Sequence, residues 1–244
     1  MSESNNMRYV THGRLSGPVF WNHDWEICCK QTVNIIDLGS GDCRFVEQLP
    51  PRLPQDSTIT CCDINFTNHD LSTTTLNGIT KVRDLPCGTF DIVVLLDVIE
   101  HVADDKGFIQ TNVLPKLTAG GMVLISAPAH PSLFSKHDEF LGHYRRYTRR
   151  QLFNVSEEFF ISRKNGYQFS SLALIRFLQR LSPKKALKGQ QGIGSWNFGK
   201  LLTYVVSILL SVDTVVSSLL QHLGLRLLRL TVWVSGSGKI LKDS

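Results

Sequence analysis

The sequence predicts a doubly wound α/β fold built on a mostly parallel sheet. Two observations predict it. Short apolar runs typical of buried parallel strands alternate with segments of helical spacing. The first of these runs also leads directly into a turn with two glycines, Gly39 and Gly41. In such folds ligands bind at the carboxyl ends of the strands, so we expect the functional residues there.

Four strands are predicted in the N-terminal half. Residues 33–38 form the first apolar run, and residues 58–63 form a second that ends in the acid Asp63. Residues 90–96 are a longer and more apolar run, and residues 122–126 are a fourth. Each is short enough for a strand and lacks the spacing of an amphipathic helix.

Helical segments separate these strands. Asp42 is placed to cap a helix whose inner face carries Phe45, Val46 and Leu49, and the prolines at 50, 51 and 54 end that helix. Residues 108–117 predict another helix, which Gly120 and Gly121 stop. The C-terminal third continues with helices at 151–160, 167–181 and 201–223, strands at 159–163 and 231–234, and a glycine-rich loop at 189–199.

The segment 201–223 is long enough to span a bilayer. However, Asp213 near its centre would cost about 2.5–3.5 kcal/mol on insertion scales. We therefore predict a helix that packs on the domain or lies at a membrane surface, where its basic flanks contact anionic lipid.

Composition excludes several classes of protein. With 244 residues and 42% hydrophobic residues, the chain is neither disordered nor too small for a core. None of the six cysteines forms a CxxC pair, which argues against a zinc site or a disulfide framework. This usage of cysteine indicates a protein of the reducing cytosol. No metal is predicted. The polar residues 1–9 contain no signal-peptide core.

Charge is distributed unevenly along the chain. Residues 1–122 hold 9 Lys and Arg against 15 Asp and Glu, whereas residues 123–244 hold 17 against 6. The basic half indicates an anionic partner, such as a phosphate-bearing substrate, a membrane surface or nucleic acid. The alternative is a solvated basic face.

The glycine turn narrows the ligand class. A dinucleotide-binding loop needs a third glycine at position 44, which is Arg44, so a pyrophosphate ligand is disfavoured. The carboxylate of Asp63, at the end of the second strand, suits a ribose diol. Asp84 is placed to reach an adenine amino group. Together these residues predict an adenosine ligand without a diphosphate.

Residues 36–42 resemble motif I of class I S-adenosylmethionine-dependent methyltransferases of the type 11/23 kind, although Cys43 replaces the usual third glycine. Asp63 resembles the ribose-binding acid of that family. Residues 84–86 and 90–93 resemble its stretch leading into the fourth strand. Residues 97–102 resemble the EHV signature of the branch that includes quinone O-methyltransferases, and residues 120–126 resemble the fifth strand after its Gly-Gly. The resemblance covers residues 30–155.

This resemblance implies a Rossmann-like fold with a seven-strand, mostly parallel sheet and C-terminal helical additions. It divides the chain into an N-terminal helical cap over 1–30, a core over 31–165, and a segment over 166–244 that completes the same domain. It also implies S-adenosylmethionine as cofactor, bound by Asp37, Gly39, Ser40, Gly41, Asp63, Ile64, Asp84, Asp97 and Val98.

A second motif follows the fourth predicted strand. Residues 137–148 resemble a GHxRRY segment of bacterial members of the superfamily that are linked to glycan or lipid tailoring. His143 and His101 are the candidates for a general base. Tyr144, Arg145 and Arg146 are the candidates for substrate binding, since arginines give bidentate contacts to anions. Alternatively, Arg145 and Tyr147 clamp the loop to Asp138 or Glu139.

The sequence therefore predicts a cytoplasmic methyltransferase, with peripheral contact at the inner membrane face. Its acceptor is predicted to be small or linked to lipid or glycan, and O-methylation is favoured over C- or N-methylation. Three alternatives stay open: a catalytically inactive scaffold with the same fold, a nicotinamide-dependent oxidoreductase and a tRNA methyltransferase. The absence of an interleaved aromatic and basic module argues against nucleic acid as partner.

Overall fold

The computed structural model describes residues 32–43, 45–49, 53–73, 79–168 and 231–238. Several predictions fall outside these ranges: the N-terminal cap over 1–30, Arg44, the glycine-rich loop and the helix at 201–223. The C-terminal helical additions lie outside them too. Within the described ranges, no helix combines the length and the apolar character needed to cross a membrane.

Seven strands form one sheet. They are β1 (Asn34–Leu38), β2 (Thr58–Cys62), β3 (Ile79–Val82), β4 (Phe90–Leu96), β5 (Leu117–Pro128), β6 (Phe160–Gln168) and β7 (Thr231–Gly238). Their order across the sheet is β3-β2-β1-β4-β5-β7-β6. All neighbouring pairs from β3 to β5 are parallel, and β7 runs antiparallel to both β5 and β6. The predicted seven-strand, mostly parallel sheet is thus confirmed.

Helices connect and cover these strands. They are α1 (Asn68–Ser72), α2 (Asp105–Phe108), α3 (Lys136–Phe140) and α4 (Arg149–Glu157). A π-helical turn at Ile109–Val113 and a 3₁₀ turn at Leu114–Lys116 continue α2 up to β5. Further 3₁₀ turns lie at Val46–Gln48, Ile99–His101 and Pro131–Leu133.

The alternation of side chains along the central strands builds a core on each face of the sheet. In β1, Ile36 packs in one cluster with Ile109 and Leu152, whereas Ile35 packs in the other with Phe45. The neighbouring cysteines of β2 follow the same rule, since Cys62 belongs to the first cluster and Cys61 to the second. Both thiols are free.

The structure corrects several strand boundaries. β3 was not predicted from the sequence, because Ile79–Val82 is a four-residue edge strand with one buried residue. β5 begins at Leu117 rather than at 122, since Leu117 pairs with Phe90 before a register shift. β6 extends to Gln168 and includes Tyr167, which the sequence assigned to a helix. β7 includes Gly236 and Gly238, because antiparallel pairing on both sides holds it extended.

Two helix predictions also need correction. The segment after β1 forms only the 3₁₀ turn Val46–Gln48, and its N-cap is Phe45 rather than Asp42. Phe45, Val46 and Leu49 are nevertheless buried as predicted. The helix before β5 begins at Asp105, because the side chain of Asp104 accepts a hydrogen bond from the Gly107 N–H and caps it.

Candidate active site

The carboxyl ends of β1 and β4 define the centre of the candidate site. β1 is flanked by β2 on one side and by β4 on the other, so the chain reverses its direction of winding between β1 and β4. Doubly wound sheets open a crevice for ligands at this point. The glycine turn leaves β1 here, and the segment from Asp97 to His101 leaves β4 beside it.

The glycine turn has a left-handed backbone at three alternate residues. The φ angles are +72° at Gly39, +49° at Gly41 and +60° at Cys43. The N–H groups of Gly39 and Ser40 both donate to the Cys62 carbonyl, at 2.8 and 3.2 Å, which ties the turn to β2. Cys43 therefore retains the backbone conformation that glycine favours at the third position of the related motif.

Gly39 is required because another side chain already fills the space beside it. A Cβ atom on Gly39 would lie 2.6 Å from Cγ2 of Val98, far inside van der Waals contact. Val98 was predicted to bind the cofactor. The structure places it against the glycine turn, where it joins the loops that follow β1 and β4.

Asp63 holds the turn from the end of β2. One carboxylate oxygen accepts from the Gly41 N–H at 2.7 Å, and the other accepts from the Asn65 N–H at 2.9 Å. An ionised carboxylate has about four lone-pair sites, so these two bonds leave acceptor capacity for a ligand. Ile64, next to it, is 82% exposed and offers an apolar surface at the same edge.

The other acids predicted to bind the cofactor are placed differently. Asp37 is 1% exposed and lies within β1, beside Cys61 of β2 and Val94 of β4. Asp97 follows β4 with a φ of +55°, and its carboxylate accepts from the Ser126 hydroxyl at 3.4 Å. Asp84 lies exposed in the turn after β3. Ser40, in the glycine turn, is fully buried.

The 3₁₀ turn Ile99–His101, which follows β4, carries two titratable side chains. Glu100 is fully buried, and neither carboxylate oxygen has a hydrogen-bond partner among the described residues. Burial, followed by the negative charge of Asp97, raises the pKa of Glu100 well above its usual range. Burial and the neighbouring His143 lower the pKa of His101 to about 4.

Residues 137–148 dock onto this turn. The Tyr144 N–H donates to the Glu100 carbonyl at 2.7 Å, and the backbone of Tyr147 pairs with Pro128 and His130 at the end of β5. His143 is thereby brought against His101, with ring centroids 4.5 Å apart and planes nearly perpendicular. The two histidines proposed from sequence thus meet, although they lie on different loops.

Asp138 is the central acceptor of this segment. It is fully buried and accepts from the Ser135 N–H and hydroxyl, from His143 Nδ1 at 3.2 Å, and from Arg146 Nε at 2.8 Å. Burial favours the neutral acid, but the hydrogen bonds from His143 and Arg146 outweigh burial and hold the pKa of Asp138 well below its usual range. Asp138 is therefore an anion that orients both side chains.

Asp105 fixes the other end of the segment. It accepts from the Tyr147 hydroxyl at 2.8 Å and from Arg145 at 3.1 Å, and Arg145 also donates to the Ala103 carbonyl. Both arginines proposed for substrate binding thus contact carboxylates of the protein. The structure shows a clamp, with Asp138 holding Arg146 and Asp105 holding Arg145 and Tyr147. Its partners differ from those predicted, because Arg145 and Tyr147 bind Asp105 rather than Asp138 or Glu139.

An open groove of about 530 Å³ runs along the outside of this clamp. Tyr144, which is 60% exposed, lines it together with Phe134 and the two clamped arginines. Tyr144 is therefore the most exposed of the three side chains predicted to bind substrate.

Sequence reasoning did not assign Glu100, Asp105 or Asp138 to the site. Asp138 was considered only as an anchor for the clamp. The sequence feature that could have identified Glu100 is its position in the segment 97–102, next to His101. No sequence feature identifies Asp105 as part of the site, because acids at helix starts are common and its partners come from a distant loop.

Comparison with solved structures defines the class of fold. Coclaurine N-methyltransferase superposes with a TM-score of 0.53 at 11% identity, covering 87% of this chain and 69% of that chain. Haemonchus contortus phosphoethanolamine N-methyltransferase 2, in complex with S-adenosyl-L-methionine, gives 0.51 at 16% identity, covering 89% and 52%. The [4+2]-cyclase SpnF gives 0.53 at 12% identity, covering 87% and 78%. These identities establish a shared fold alone, the class I methyltransferase fold.

Part of the sequence is also similar to a known protein family. Residues 36–125 match the model of a methyltransferase domain. This part of the chain is thus similar to a methyltransferase domain, and the cofactor that the similarity supports is S-adenosylmethionine. The match ends within β5, before the segment 137–148, so it does not extend to the clamp or to His143. Among curated proteins, no sequence matches the chain.

Proposed function

We propose that this protein transfers a methyl group from S-adenosylmethionine to a hydroxyl of a small or lipid- or glycan-linked acceptor. The observation that carries the proposal is the glycine turn at the crevice between β1 and β4. The backbone of this turn is left-handed at Gly39, Gly41 and Cys43, and its two glycines present the backbone without a Cβ atom. A cofactor can approach the backbone closely there.

The residues present fit the cofactor. The acceptor capacity left on Asp63 suits the ribose hydroxyls, and exposed Ile64 offers an apolar surface to the adenine ring. The loop after β4, with Asp97 and Val98, is the candidate for the methionine part. Asp84 is exposed and remains the candidate for the adenine amino group.

The cofactor supplies a methyl group already bonded to a positively charged sulfur. Held by Asp63 and the glycine turn, it would supply that methyl group to an oxygen of the acceptor and leave as S-adenosylhomocysteine. The hydroxyl proton passes to His143, whose ring Asp138 orients. Holding the acceptor in line with that methyl group would supply much of the rate.

The acceptor is placed beside His101 and His143, with the Tyr144 groove as its outer part. A hydroxyl is favoured because an alcohol must lose a proton to become a good nucleophile, and the Asp138–His143 pair is arranged to orient a proton acceptor. Coclaurine and phosphoethanolamine N-methyltransferases are named among the structural neighbours, but at 16% identity or less they do not specify the acceptor.

The main alternative is a protein that has this fold without methyltransferase activity. SpnF, a cyclase, has a similar fold, so the fold alone does not determine the reaction. Cys43, which stands where the related motif has its third glycine, argues for a degenerate site. The left-handed backbone at Cys43 weakens that argument, because the turn retains its form without the third glycine.

A transfer assay tests the proposal. Purified full-length protein is incubated with S-adenosylmethionine labelled in its methyl group and with lipid, quinone and glycan fractions. We expect label in one acceptor class and production of S-adenosylhomocysteine in equal amount. Protein that binds the cofactor but labels none of the fractions, while a scaffold partner copurifies, would favour the inactive alternative.

A further inference from the structure

The described part of the chain brings three potential metal ligands together. One ligand atom from each of Glu100, His101 and His143 lies within 4.8 Å of the other two. Two come from the turn after β4, and the third comes from the segment that docks onto it. A carboxylate with two imidazoles is a ligand set that divalent transition metals favour.

Glu100 is the first reason to regard this cluster as a site. Its side chain is fully buried, and neither of its oxygens has a hydrogen-bond donor in another described residue. Buried carboxylates in folded proteins are normally hydrogen-bonded, paired with a cation or bound to a metal. Here two imidazole rings stand where a cationic partner would be expected.

The surroundings of the histidines are the second reason. Asp138 binds Nδ1 of His143, which leaves Nε2 as the nitrogen that can coordinate a metal. A hydrogen bond to the Gly142 backbone orients His101. Metal-binding histidines almost always have a carboxylate or a backbone carbonyl on the other ring nitrogen, which fixes the tautomer and the orientation of the ring. Both histidines have such an outer partner.

We propose that Glu100, His101 and His143 bind a divalent transition-metal ion, with Asp138 as the outer carboxylate that positions His143. Three protein ligands leave a coordination position open, as in catalytic rather than structural sites. That position is open to a small ligand, and His143 serves as the proton acceptor of the proposed transfer only when no metal is bound. The sequence predicted no metal, because its ligands are separated along the chain and include no cysteine.

Metal binding is measured without the cofactor, so its outcome does not depend on the proposed methyl transfer. Tag-free, chelator-treated full-length protein is titrated with Co²⁺ and followed by calorimetry and by the visible absorption of bound Co²⁺. A Cys87→Ser background removes a thiol that is exposed in the described part of the chain and could compete for the metal. We expect one Co²⁺ per chain, and a melting temperature that rises with Co²⁺ because the metal binds the folded state.

Matched variants locate the site. Glu100→Gln and His143→Ala should each weaken Co²⁺ binding at least tenfold and abolish the rise in melting temperature. Asp138→Asn should weaken Co²⁺ binding about 10–100-fold, because the carboxylate that positions His143 is lost. The controls are Glu139→Gln and His69→Ala, the same residue types at exposed positions, which should bind as the wild type does.

Two results would overturn the proposal: wild-type protein that binds no Co²⁺, or Glu100→Gln and His143→Ala proteins that are folded and bind Co²⁺ with wild-type affinity. Circular dichroism establishes that the variants are folded. Binding of Co²⁺ without binding of S-adenosylmethionine would support the metal site and contradict the proposed function. Binding of S-adenosylmethionine without binding of Co²⁺ would support the proposed function and contradict the metal site.

Discussion

Gly39 and Gly120 have almost the same backbone conformation but different surroundings. Their φ angles are +72° and +74°. A Cβ atom on Gly39 would meet Val98 at 2.6 Å, whereas a Cβ atom on Gly120 would have no atom within 4 Å. The pair therefore separates the effect of left-handed backbone strain from the effect of crowding within the glycine turn.

We expect Gly120→Ala to lower the free energy of unfolding by about 1–2 kcal/mol, the cost of a left-handed backbone. Gly39→Ala should cost about 1–3 kcal/mol more, because overpacking adds to that strain. The measurement is chemical denaturation of both variants. Val98→Ala in the Gly39→Ala background should recover part of the difference, and equal losses for the two single variants would contradict the crowding argument.

His143 is the residue where position predicts a specific kinetic effect. We expect His143→Ala to reduce turnover about 10²–10⁴-fold, the usual contribution of a positioned general base. Cofactor affinity should change little, because His143 comes from the segment 137–148 and not from the glycine turn. His69→Ala serves as the control, since His69 is exposed on α1. Normal turnover by folded His143→Ala protein would remove His143 from the site.

At the scale of elements, the central strands could be predicted and the edges of the sheet could not. β1, β2 and β4 are short buried runs whose hydrophobic pattern identifies them in isolation. β3 and the extended ends of β5 and β7 depend on the partner strand. β7 contains two glycines and two serines, a composition that predicts an irregular segment until pairing on both sides holds it extended.

The segment 137–148 shows that prediction from sequence has the same limit at the candidate site. Its histidines and arginines were identified from sequence, but the partners that decide their roles could not be. Asp105 lies 40 residues from Arg145 and 42 from Tyr147 along the chain. Nothing local distinguishes an arginine that binds a substrate anion from one that binds an aspartate of its own chain.

The clamp predicts coupling between Arg145 and Tyr147. Tyr147→Phe should destabilise the protein by about 1.5–3 kcal/mol, because a buried hydroxyl loses its bond to the Asp105 carboxylate. Arg145 is partly exposed, so Arg145→Ala should cost only about 0.2–1 kcal/mol. A double-mutant cycle by chemical denaturation should give a non-additive result, since both side chains contact one carboxylate. Strict additivity together with a raised acceptor KM for Arg145→Ala would instead favour substrate binding.

At the scale of the whole molecule, charge separates the two halves of the chain. The C-terminal half, with 17 Lys and Arg against 6 Asp and Glu, contains the basic flanks of the predicted helix at 201–223. We expect the full chain to bind vesicles that contain anionic lipid and to be released by salt, because such contacts are screened over about 8–10 Å at physiological ionic strength. Vesicle sedimentation at rising salt measures this.

Two results would contradict that prediction in different ways. Binding that salt does not reverse, with release only by detergent, would favour a spanning helix. The absence of binding to anionic vesicles at any salt concentration would leave the segment 201–223 as a helix of the protein core.

The central claim, that the crevice between β1 and β4 binds S-adenosylmethionine, is tested most directly by calorimetric titration of the purified chain with that cofactor. We predict one molecule bound per chain and no binding of NAD. Asp63→Ala should weaken the affinity about tenfold to a hundredfold, because losing a hydrogen bond to a charged acceptor costs about 1.5–3 kcal/mol. Glu139→Ala, an exposed acid on α3, should leave it unchanged. Folded wild-type protein that binds no S-adenosylmethionine would contradict the account.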